Sequence, residues 1–75
     1  MMTYEEWLKS TEFGLKRIYK VRDIVIDEEG LHIAFTNNFG YWTSVGNLKS
    51  LWQTDGFIEL CNDIECEFMC QIMNV

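Results

Sequence analysis

Near its start the chain repeats with the period of an α-helix. Tyr4, Trp7, Leu8, Thr11, Leu15 and Ile18 fall on one stripe, with Glu5, Glu6, Lys9, Glu12, Lys16 and Arg17 around the rest. Thr3-Tyr4-Glu5-Glu6 has the form of a capping box, in which the Thr3 hydroxyl accepts from the Glu6 amide and the Glu6 carboxylate from the Thr3 amide. Acids precede bases along this stretch, as the helix dipole favours. Phe13 falls on the polar face. Interior glycine costs about 1 kcal/mol against alanine, so Gly14 predicts a helix that stops near Thr11, with an extended segment after it.

From Val21 the pattern changes to β-branched runs. Ile24-Val25-Ile26, Asp27-Glu28-Glu29-Gly30 and Leu31-His32-Ile33-Ala34-Phe35 read as two strands around a tight turn, with Gly30 supplying a positive φ. Asn37-Asn38-Phe39-Gly40 is a second turn cluster, and Tyr41-Trp42-Thr43-Ser44-Val45 completes a three-stranded meander. A short helical turn follows through Leu48, Leu51 and Trp52, closing at Thr54-Asp55-Gly56.

The last segment carries two periods. Ile64, Cys66, Phe68, Cys70 and Ile72 alternate with polar or exposed positions as in a half-buried strand, whereas Ile64, Phe68, Ile72 and Val75 fit a helix with Asp63 as N-cap. The alternation favours a hairpin of Phe57 to Cys61 with Ile64 to Ile72. The expected fold is therefore α+β: an N-terminal amphipathic helix packed on an antiparallel sheet, a meander of about three strands plus a C-terminal hairpin, in one domain spanning 1–75.

Seventy-five residues make one domain with a thin core, since chains this short bury only about 60% of the surface exposed on unfolding. Three Trp, three Tyr and five Phe are many for that volume, so some rings are expected at a partner surface. Twelve acids against six bases give a net charge of -6, the wrong sign for unaided binding to nucleic acid or anionic lipid. Lys16, Arg17, Lys20 and Arg22 concentrate four of the bases, while residues 55 to 75 have none, which gives the molecule an acidic end. No signal peptide or membrane span is recognisable, and cytoplasm is the expected compartment. Cys61, Cys66 and Cys70 form an odd set without Cys-x-x-Cys spacing, so reduced thiols are expected.

Candidate chemistry is sparse. His32 is expected on the polar face of the hairpin, beside acids such as Glu28 or Glu29, with no nucleophile in reach. The three cysteines with His32 have the ligand types for zinc, but gaps of four and three residues suit core cysteines better than a knuckle. Glu59, Asp63, Glu65 and Glu67 read as a solvated face rather than as a glycosidase-like pair, because so short a chain offers little volume for a pocket. Lys16 to Arg22 interleaves bases with Tyr19, as nucleic-acid surfaces do, and Phe39, Tyr41 and Trp42 could stack on bases, but the net charge opposes this. Phosphate-loop, dinucleotide and His-Glu-x-x-His motifs are absent.

The expected function is a non-enzymatic protein-binding module, a regulator or inhibitor of a basic or nucleic-acid-handling partner, with no cofactor, no membrane contact and a homodimer as one assembly. Its contact residues are Phe13, Phe39, Tyr41 and Trp42, with an acidic rim of Asp55, Glu59, Asp63, Glu65 and Glu67. An alternative is a nucleic-acid mimic: strand positions on one face recur at about 6.6 Å, close to two phosphate steps of about 3.4 Å. In composition the chain is similar in kind to small phage-type inhibitors, including DNA mimics and some anti-CRISPR proteins. A small zinc-binding Cys/His domain is the remaining alternative.

Overall fold

The computed structural model describes residues 2–73, with side chains described through Cys70. The order of elements is α1 (Tyr4–Ile18), β1 (Val21–Ile26), β2 (Gly30–Phe35), β3 (Gly40–Ser44), α2 (Val45–Gln53) and α3 (Phe57–Met73). This is an α+β fold, with an N-terminal helix, a three-stranded antiparallel meander in the order β1-β2-β3, and two further helices.

Helix α1 begins as its capping box requires. The Glu6 amide donates to Thr3 Oγ1 at 3.2 Å, and the Thr3 amide donates to Glu6 Oε1 at 2.9 Å. That second bond holds the Glu6 carboxyl below its ordinary range. The helix does not stop near Thr11 but continues to Ile18, and Gly14 has a packing reason for being there. A Cβ at Gly14 would lie 2.8 Å from Cζ of Phe57, so the missing side chain is a notch for the ring that opens α3. Trp7, Thr11 and Leu15 are buried on the expected stripe, whereas Ile18 emerges beyond the core.

The first turn of the meander is closed by one carboxylate. Asp27 Oδ1 accepts from the amides of Glu29 at 2.9 Å and Gly30 at 3.2 Å, which holds the Asp27 carboxyl below its ordinary range, an effect that His32 reinforces. Gly30 follows at φ +145°, and a Cβ there would stand 1.9 Å from the carbonyl oxygen of Thr43 on β3. In the second turn Asn38 takes φ +71°, with Asn37 Oδ1 accepting from the Phe39 amide at 3.3 Å. A bulge between Val21 and Asp23 interrupts the β1 ladder.

Leu31, Ile33, Phe35, Tyr41 and Thr43 point from the sheet into one continuous core with Trp7, Leu15, Leu48, Leu60 and Ile64 from the helices. Helix α2 starts at Ser44, whose Oγ accepts from the Asn47 amide at 3.2 Å, and ends where Asp55 turns to φ +53°.

The C-terminal hairpin is not formed. Phe57 to Met73 is a single helix. Leu60 and Ile64, with Phe57 and Phe68 around them, follow the three-to-four-residue spacing of one helical face, and Leu60 and Ile64 are both 0% exposed. The alternation of Ile64, Cys66 and Phe68 is incidental, since Cys66 is exposed between two core-facing residues. Asp63 is inside the helix rather than its N-cap, and Val75 and the side chain of Ile72 lie outside the described residues.

Gly30→Ala is expected to destabilise the fold by about 1–3 kcal/mol from backbone conformation alone, with a further loss from displacing Thr43. Urea denaturation measures it, and a wild-type midpoint would refute the account of this turn.

Candidate partner-binding surface

Because α3 turns about 100° per residue, the neighbours of inward-facing Ile64 emerge on its two flanks. Each flank is tied down by a tyrosine. The Tyr41 hydroxyl, from β3, donates to Asp63 Oδ2, and the Tyr19 hydroxyl, just after α1, donates to Glu65 Oε2 at 2.9 Å. Burial pushes both phenols above their ordinary pKa, and bonding to a carboxylate pushes them further. Burial likewise raises the Cys61 thiol beside Tyr19, although the tyrosine's hydrogen bond opposes that shift.

These bonds orient the acids. Glu59, Asp63 and Glu67, spaced four apart, line the flank of α3 toward β3, and Glu65 lies on the other flank. All four are exposed. Asp55, also exposed, sits at the turn before α3. The acids are thus spread along and around a helix, not set at alternate positions of a strand.

The rings do not gather into one patch. Only Phe13, 64% exposed, and Trp42, 55% exposed, stand well out of the surface. Tyr41 is buried, its hydroxyl committed to Asp63. Phe39 is half-buried edge-on against Phe68, with centroids 4.8 Å apart, and Phe68 meets Phe35 in the same way at 5.3 Å. Phe39 and Tyr41 therefore hold α3 to the sheet.

Phe13 and Asp55 do come together, lining a hollow of about 270 Å³ with Met2, Trp7 and Phe57, where the Arg17 guanidinium stands 5.8 Å from the centre of the Phe13 ring. Trp42 belongs to the opposite face of the sheet from the core. There Val25, His32 and Trp42 form one row across the three strands, with His32 Nε2 3.3 Å from Asp27 Oδ1. This open row was missed as a unit. The signal for it lay in the alternation of β2, which turns His32 away from Leu31 and Ile33.

Cys61 is buried, whereas Cys66 and Cys70 are exposed. Among the described residues no three His, Cys, Asp or Glu side chains converge on a point that could hold a metal, and no helix is long and apolar enough to cross a membrane. No protein-family model, curated protein or solved structure matches the chain.

Raised tyrosine pKa values mean that the folded state favours neutral phenol. Their stabilising effect is full below about pH 10, the ordinary value, and fades as pH rises above it, because the unfolded chain releases those protons first. Tyr41→Phe is expected to lose about 1–2 kcal/mol at neutral pH and to show a shallower alkaline decline than wild type. Urea denaturation at stepped pH tests both, and an unchanged slope would show that the Tyr41 hydroxyl does not titrate with folding.

Proposed function

We propose that this chain is a non-enzymatic binding module that regulates or inhibits a protein partner by covering a basic surface on it with the acidic flank of α3. One observation carries the reading. From Ser50 onward the chain has no Lys, Arg or His, and Glu59, Asp63 and Glu67 of that stretch share one exposed helical flank. Asp63 is pre-positioned by Tyr41, which lowers the ordering cost of a contact. The acids would steer a basic partner and set its orientation.

The spacing of those carboxylates favours a second reading, nucleic-acid mimicry. Four helical residues rise about 6 Å, close to two phosphate steps along one strand of a duplex. Competition with DNA for the partner supports this reading, and simultaneous binding of both removes it.

Glu59 and Glu67 make no hydrogen bond that the fold needs, which makes them the positions to reverse. The double variant Glu59→Lys, Glu67→Lys is expected to remain folded and to slow association with a partner captured from the native host by about tenfold or more. Wild-type association should also slow steeply with salt. Surface plasmon resonance measures both, and an association rate indifferent to the double reversal excludes the acidic flank as the contact.

A further inference from the structure

Strand β1 is an edge of the sheet, and the ladder fixes which of its backbone groups are left over. The Asp27 amide donates to the Gly30 carbonyl at 3.0 Å, so Val25 and Asp23 exchange bonds with His32 and Ala34. The N–H and C=O groups of Ile24 and Ile26 consequently point to the open edge, where no strand among the described residues pairs with β1. Between them Val25, 45% exposed, faces the open side of the sheet. Along the inner side of this edge runs a mainly apolar hollow of about 270 Å³, walled by Leu8 and Ile26, with Glu5, Lys9 and Glu12 at its rim.

The edge is also charged in opposite senses at its two ends. Lys20 and Arg22, with one acid, Asp23, stand at its start, Asp27, Glu28 and Glu29 at its finish, and Ile24-Val25-Ile26 lies between. A strand with that distribution is complementary to itself when reversed. No ion pair within the described residues engages Arg22 or Glu28, and both are exposed.

We infer that the chain forms a two-fold dimer in which β1 pairs antiparallel with β1 of a second copy, centred on Val25. In this register Ile24 of each copy faces Ile26 of the other, and their leftover N–H and C=O groups make four hydrogen bonds across the axis. Arg22 of each copy, in the bulge, lies across from the turn that carries Glu28 of the other, so the basic start of each strand comes beside the acidic turn of its partner. The inward Ile24 of one copy reaches the hollow beside Leu8 of the other, and the two Val25 side chains cover each other. Asp23 meets Asp27 across the pair, but the Asp27 carboxylate is already turned to the amides of Glu29 and Gly30 and to His32. A parallel arrangement would set base against base and acid against acid.

The acids of α3 add little repulsion across this seam. The flank of Glu59, Asp63 and Glu67 lies toward β3, at the far edge of the sheet. In the resulting six-stranded sheet the two β3 edges are about 24 Å apart, roughly three screening lengths at physiological salt. The acidic flanks stay outermost, free for other contacts.

Sedimentation equilibrium on the full chain tests the inference. Wild type is expected to be a monomer–dimer system, with Arg22→Glu and Glu28→Arg each weakening dimerisation by at least about tenfold and the double variant recovering it. Val25→Lys, which places a cation on the axis outside the core, is expected to leave a folded monomer. A wild type that remains monomeric at about 0.5 mM, or single reversals that dimerise like wild type, would overturn the proposal.

Discussion

The burial of Leu60 and Ile64 of α3 in the core that also takes the inner face of the meander is the interaction on which the rest of the molecule depends. Three strands without a covering layer are barely stable in water, and each fully buried aliphatic side chain contributes about 1.5–3 kcal/mol. Once those two residues face inward, helical geometry leaves no choice for the others. Asp63 and Glu65 emerge on the flanks within reach of Tyr41 and Tyr19, and Phe68 wedges between Phe35 and Phe39. The acidic flank is therefore a by-product of the same rotation that fills the core.

A thin interior accommodates its rings by edge contact. Tyr4 against Trp52, Tyr19 against Phe35, and Phe68 against two phenylalanines all meet at steep angles with centroids 4.8 to 6.0 Å apart. Half-buried rings at the margin of the core thus join the layers, and their polar atoms are used as well. The Trp52 indole nitrogen donates to the Met2 carbonyl at 2.9 Å, fastening the start of the chain to α2.

Where local chemistry decides the conformation, the sequence is readable. Thr3 and Glu6 define a helix start by themselves, and the run from Asp27 to Gly30 can only turn, so the first helix, the meander and the short second helix follow from neighbours a few residues apart. The end of α1 and the whole of α3 were obscured by interactions distant in sequence. Gly14 reads as a helix breaker until Phe57 is seen to occupy its notch. In α3, counting cysteine as apolar made an alternation out of Cys66 and Cys70, and it outweighed the adjacent core residues Leu60 and Cys61, which no half-buried strand would place side by side. Among the candidate contact residues, the charged ones could be located from the sequence because they resist burial. The rings could not: Tyr41 and Trp42 are neighbours of identical class, and only the pairing of β3 with β2 decides that one turns inward and the other outward.

The core lies on one face of the sheet, and the row of Val25, His32 and Trp42 lies on the other. Residues that answer for folding and residues open to recognition are consequently almost separate sets along the same strands. Such a division leaves the outer face open to substitution while the inner one stays under the constraint of packing.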